Sequence, residues 1–113
     1  MIEIHYDPRK YSVTLQGHAG AGIPGQDLVC CAASMLVYTL AANVRRMQKS
    51  GWMKKTQIRL APGDAKVVCT PYANARSRVN SRIDAICMGF LLLQKEYPDF
   101  VRFTIINREE IYV

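Results

Sequence analysis

Apolar and polar positions alternate from the start of the chain, with Ile2, Ile4 and Tyr6 on one side of a strand and Glu3 and His5 on the other. Asp7-Pro8-Arg9-Lys10 then supplies a turn. Tyr11, Val13 and Leu15 resume the alternation, so the two segments read as a strand pair whose second member delivers His18 just past its end. From Gly20 to Gly25 the residues Gly-Ala-Gly-Ile-Pro-Gly sustain neither helix nor strand, because glycine is permissive and proline removes a donor. A mobile loop is expected there. The period next becomes helical. Asp27 reads as an N-cap whose carboxylate satisfies the backbone N–H of Cys30, three residues on. The helix runs to about Lys49, with Val29, Ala33, Leu36, Val37, Leu40, Val44 and Met47 as one stripe. Leu28, Ala32, Met35 and Ala42 form a second apolar surface. One face is therefore expected on the sheet and the other against another subunit or the second helix.

After Gly51-Trp52, Thr56 to Leu60 and Ala65 to Thr70 read as strands joined by the turn Ala61-Pro62-Gly63-Asp64, and Pro71 ends the second. A helix from about Ala73 to Tyr97 is carried by Val79, Ile83, Ile86, Cys87, Phe90 and Leu93 and stopped by Pro98. Val101 to Ile106 closes as a strand with Val101, Phe103 and Ile105 on one face. The order β-β-α-β-β-α-β predicts an α/β protein of the α+β type, in which two helices pack on one face of a largely antiparallel sheet.

With 113 residues, half of them apolar, the chain fits a single domain over 1–113, small enough that dimerisation would help it. The N-terminus lacks the basic lead and apolar run of a signal peptide, and Ala85 to Leu93 is too short to span a bilayer. A soluble, cytoplasmic protein without a membrane partner is expected. Cys30, Cys31, Cys69 and Cys87 show no CxxC spacing and fit free thiols in a reducing compartment. With only His5 and His18 to join them, no metal site and no cofactor is expected.

A net charge of +6 raises the question of an anionic partner. Arg45, Arg46 and Lys49 sit where a helix ends, a place basic side chains favour for dipole reasons alone. Lys54 and Lys55 follow in the next loop, Arg76, Arg78 and Arg82 open the second helix, and no aromatic residue interleaves with them in sequence. That distribution favours a solvated basic face over a nucleic-acid groove.

The candidate chemistry lies around the glycine loop. In the first turn of a helix, Cys30 feels unpaired backbone N–H groups and the positive end of the dipole, which favours its thiolate. Asp27, Cys30 and Ser34 share one helix face, whereas Cys31 is turned about 100° toward Leu28 and Met35 and is expected to pack. His18, returned by the loop, is placed to take the thiol proton, and helix-start N–H groups to bind an oxyanion. Asp27 either orients the histidine or only caps the helix; Ser34 either bonds its own backbone or supports the imidazole or oxyanion. The plainer reading is a hydrogen-bonded edge histidine and a cysteine acting as a small hydrophobe.

Gly17-His18-Ala19, the glycine at 25, Asp27-Leu28-Val29-Cys30 and Ala33-Ser34 resemble the signature of the ribosomal-processing cysteine protease family, Prp. Its members carry a GHA element, a glycine-containing loop and a D-[IL]-V-C-A helix start, with a serine four residues after the cysteine. The resemblance implies a bacterial cysteine endopeptidase, usually a homodimer, that removes a short N-terminal extension from large-subunit ribosomal protein twenty-seven. It implies His18 and Cys30 as the catalytic dyad and Asp27 and Ser34 as supporting residues. The loop Ala19 to Gln26, with Gly20, Gly22, Pro24 and Gly25, would order around a peptide containing consecutive phenylalanines. Cys31 stands where many relatives have alanine, the loop is less polar and the chain more basic. These departures leave room for a phage-encoded relative that processes capsid or scaffold protein. Outside proteolysis, the alternatives are a ribosome- or RNA-associated binding module and a thiol redox sensor using Cys30 and Cys31.

Overall fold

The computed structural model describes residues 1–20, 22 and 27–106. The alternating segments form β1 (Ile2–Asp7) and β2 (Ser12–Gln16), followed by α1 (Leu28–Lys49), β3 (Met53–Ala61) and β4 (Asp64–Pro71). A 3₁₀ turn at Ala73–Ala75 leads into α2 (Arg76–Glu96), and β5 (Val101–Ile105) closes the order. The sheet runs β3-β4-β2-β1-β5, antiparallel throughout except for the parallel β1–β5 pair. Two helices pack against this five-stranded sheet, as the α+β expectation has it.

Strand alternation decides which side the helices cover. Ile4 sits opposite Leu15 and beside Phe103, and all three are buried with Val67 and Cys69 beneath the helices. The register also lines up Arg59, Lys66, Thr14, His5 and Thr104 in one row of polar side chains across the strands. An antiparallel sheet tolerates one wet face, so no second layer is required. From the helical side, α1 buries Val29, Ala33, Val37, Leu40, Ala41, Val44 and Met47. α2 buries Val79, Ile83, Cys87, Phe90 and Leu93, and Phe90 stacks on Phe103 with ring centroids 6.0 Å apart.

The two helices approach closely at Gly89, where an added Cβ would stand 2.6 Å from Leu36 Cδ2. Leu36 thus belongs to the helix–helix contact. The second apolar surface read from the sequence is not covered as a unit: Leu28 is 77% exposed and Met35 61%. Cys31, expected to pack beside them, is exposed as well. Its rotation from Cys30 carries it past the sheet-facing stripe onto a flank of α1 that α2 does not reach.

Element ends differ where the local pattern is weak. β3 begins at Met53, ahead of the expected Thr56, because Met53 is buried opposite Pro71, and an irregularity between Met53 and Lys55 restores the pairing. α1 is long and apolar enough by composition to cross a bilayer, unlike Ala85 to Leu93; 33% of that stretch is buried, its stripe lying on the sheet. It starts beside the end of β2 and finishes where Trp52 N–H donates to the Met47 carbonyl at 3.1 Å, at the opposite end of the sheet.

Candidate active site

A cleft of about 510 Å³ opens at the end of the sheet where β2 finishes, α1 starts and the β3–β4 hairpin turns. β2 and its continuation contribute Gly17, His18, Gly20 and Gly22; α1 contributes Cys30, Ala33 and Ser34 below its cap Asp27; the hairpin tip contributes Pro62 and Gly63. The four predicted residues His18, Asp27, Cys30 and Ser34 therefore line one cavity. Of the expected gating residues, Gly20 and Gly22 line it too, while Pro24 and Gly25 lie outside the described residues.

Asp27 caps α1 in the expected way. It has extended backbone, is buried, and its Oδ1 accepts from the N–H groups of Val29 at 2.9 Å and Cys30 at 3.1 Å. Its carbonyl accepts from Cys31 N–H at 3.0 Å. Three first-turn donors are thus engaged by Asp27, which revises the expectation that they await an oxyanion. A different donor faces the sulfur: Ala19 N–H donates to Cys30 Sγ at 3.2 Å. This contact joins the Gly-His-Ala element to the head of α1 across eleven residues of sequence. A backbone donor thus meets the sulfur at the start of the helix.

Close packing around glycines fixes the histidine strand. Met1 N donates to the His18 carbonyl at 2.7 Å, and Gly17 N–H donates to the Gly63 carbonyl at 2.9 Å. Gly17 has φ +98°, and a Cβ there would collide with the Met1 carbonyl. Gly63, with φ +69°, lies directly against the imidazole: an added Cβ would stand 2.5 Å from His18 Nε2 and 2.8 Å from Cε1. The sequence marks Gly63 only as a turn residue. Its Pro-Gly context signals the turn, but nothing local signals that the turn presses on a ring 45 positions earlier.

The other thiols stand apart. Burial pushes Cys69 up to about 11 and Cys87 up to about 12, the carboxylate of Asp84 adding to the effect at Cys87. Both stay protonated near neutral pH. A second hollow of about 150 Å³ between Tyr6, Cys87, Met88 and Phe103 therefore offers no nucleophile, and its Tyr6 hydroxyl donates to Asp84 at 2.5 Å. Among the described residues, the larger cleft is the one that combines a partly accessible thiol with an imidazole.

Known proteins match this chain along nearly its whole length. The family model described as cysteine protease Prp matches residues 1–102. Among solved structures, the essential ribosomal processing protease Prp of Staphylococcus aureus, bound to a covalently linked product peptide, superposes with a TM-score of 0.69 at 20% identity. That match covers 93% of this chain and 99% of the other. The same protease with a substrate peptide gives a TM-score of 0.63 at 17% identity, over 92% and 96% of the two chains. SMU.848 from Streptococcus mutans gives 0.63 at 26% identity, over 92% and 90%. No curated protein matches.

Proposed function

The chain belongs to the cysteine protease Prp family, and we propose that it is the endopeptidase that trims a short N-terminal extension from large-subunit ribosomal protein twenty-seven, with Cys30 as nucleophile and His18 as proton carrier. The observation that carries this reading is the Ala19 N–H to Cys30 Sγ contact at 3.2 Å, made inside a cleft that His18 also lines.

In the proposed reaction His18 takes the Cys30 proton and the sulfur attacks the scissile carbonyl, forming the C–S bond. The tetrahedral oxyanion collapses as the imidazolium gives that proton to the departing amine, leaving a thioester. Water, deprotonated by His18, attacks the thioester, and the thiol regains a proton as the new carboxylic acid leaves. Ala19 N–H, already beside the sulfur, is the donor this reading assigns to the oxyanion. Asp27 holds the first turn of α1 in position, and Gly20 and Gly22 form part of the wall that a bound peptide meets.

The reading extends to assembly and compartment. Leu28, Met35 and Tyr38 leave an apolar flank of α1 exposed by 77%, 61% and 53%, which favours a homodimer through that flank. Four unpaired thiols suit the reducing cytoplasm.

The test is cleavage of a leader peptide containing consecutive phenylalanines by the native chain, Cys30→Ala and His18→Ala. Each variant should lose at least about a thousandfold in rate, the scale on which nucleophile and base removals act. Equal cleavage by Cys30→Ala would refute the assignment. Failure of the native chain to cut that peptide while cutting a phage capsid or scaffold sequence would move the substrate, with the dyad intact.

A further inference from the structure

The fold gathers what the sequence scatters. The end of the sheet opposite the cleft receives the last turns of α1 with Arg45, Arg46 and Lys49, the start of β3 with Lys54 and Lys55, and the first turns of α2 with Arg76, Arg78 and Arg82. The β1–β2 turn adds Arg9 and Lys10. All of these side chains are exposed, so ten of the chain's 15 lysines and arginines share one pole. Of the described carboxylates, Asp7 is there too but is buried, and Asp84 lies farther along α2, half-buried and accepting from the Tyr6 hydroxyl, whereas Glu3, Asp27, Asp64, Glu96 and Asp99 fall at the opposite end or beyond it. Among the described residues, the ion pairs Arg59–Asp64 and Arg102–Glu3 lie away from the basic pole.

Aromatic rings interleave with these charges in space, although not in sequence. Trp52 carries the guanidinium of Arg78 at 4.5 Å and that of Arg82 at 4.8 Å from its ring centre. Tyr72, whose N–H donates to the Trp52 carbonyl at 2.9 Å, is 45% exposed. Beside them Lys10, Tyr11, Thr70 and Arg76 line a hollow of about 450 Å³. Tyr11 adopts φ 52° at its rim, a conformation that a bulky side chain rarely accepts. The first turn of α2 has no acidic residue and its N-cap makes no side-chain bond, so arginines occupy the helix end where folding alone favours acids.

From this arrangement we propose that the basic pole is a docking surface for single-stranded nucleic acid, used while the cleft at the other end remains open. Guanidinium groups held over Trp52, that of Arg78 also donating to the Asn74 carbonyl at 2.9 Å, present their remaining donors to phosphate oxygens with less freedom left to lose. The exposed Tyr72 ring offers a face for a base, and the hollow at Lys10 and Arg76 accepts a backbone phosphate. A purely lipid-directed surface would need neither the ring nor the hollow.

The experiment is fluorescence anisotropy of a labelled 20-nucleotide oligouridine against the full chain between about 50 and 300 mM salt. The triple variant Lys10→Gln, Lys54→Gln, Arg76→Gln should bind about tenfold or more weakly and flatten the log–log salt slope by about 2, from about 0.7 per lost phosphate contact. The triple variant Lys66→Gln, Lys95→Gln, Arg102→Gln removes the same charge elsewhere and should bind as the native chain does. Tyr72→Ala should weaken binding several-fold without changing the slope. All three should keep their peptidase rate and their melting temperature. Absence of binding at 50 mM salt, or equal loss in the two triple variants, would overturn the proposal. Binding to phosphatidylserine vesicles or polyglutamate as tight as to oligouridine, with no effect of Tyr72→Ala, would overturn the nucleic-acid assignment.

Discussion

Replacing Gly63 by alanine should separate the placement of the imidazole from the stability of the domain. The new methyl would begin 2.5 Å from His18 Nε2, whereas ordinary contact starts at 3.4 Å, so the ring must retreat by about 1 Å. A displacement of that size at a reacting group costs about a hundredfold in rate, or roughly 2.7 kcal/mol of barrier. The backbone adds its own penalty: at φ +69° alanine costs about 1–2 kcal/mol, a fall of roughly 4–10 °C in melting temperature. Gly51→Ala isolates that second effect, because Gly51 has φ +82° with nothing within 4 Å of an added Cβ. Both variants should therefore melt at similar temperatures, and only Gly63→Ala should lose kcat/KM on the leader peptide. Measured kcat/KM for Gly63→Ala within twofold of Gly51→Ala would refute the idea that this glycine holds the base in register.

Brief treatment of the folded protein with iodoacetamide at pH 8 should label Cys30 and Cys31 and spare Cys69 and Cys87, which react only after denaturation; peptide mapping that finds Cys87 modified as fast as Cys31 contradicts the burial described. Cys69 and Cys87 hold their protons more tightly folded than unfolded, so their contribution is whole below about pH 9 and is lost as pH climbs toward 11 and 12. For Cys69 this is on the order of 2 kcal/mol, and Cys69→Val should show a shallower alkaline fall in urea stability than the native chain. Asp27→Ala should cost about 1–2 kcal/mol through loss of the cap, and Asp27→Ser should recover most of that stability together with activity. Recovered stability without recovered cleavage would mean that Asp27 acts on the chemistry as well as on the helix.

Much of this molecule is legible because its signals are local. Alternation at Ile2, Ile4 and Tyr6 and the stripe from Val29 to Met47 each encode a buried face within one element. Asp27 is recognisable as a cap because its carboxylate meets N–H groups two and three residues ahead. What escapes a linear reading is packing between distant segments. The contact of Gly63 with His18, the Gly17 approach to Met1 and the fate of Cys31 depend on which elements meet, and no periodicity records that. The start of β3 is hidden for the same reason: Lys54 and Lys55 look like loop until Met53 finds Pro71 across the sheet.

The course of α1 has a thermodynamic consequence. At about 1.5 Å per residue, the segment from Cys30 to Lys49 holds the thiol and the last basic turn roughly 30 Å apart. Substitutions at sites so separated, with no shared neighbours, should combine additively to within about 0.5 kcal/mol. The proposed peptide site at the head of the helix and the surface charge at its foot are therefore independently evolvable, and a library built at one end can be grafted onto a variant selected at the other.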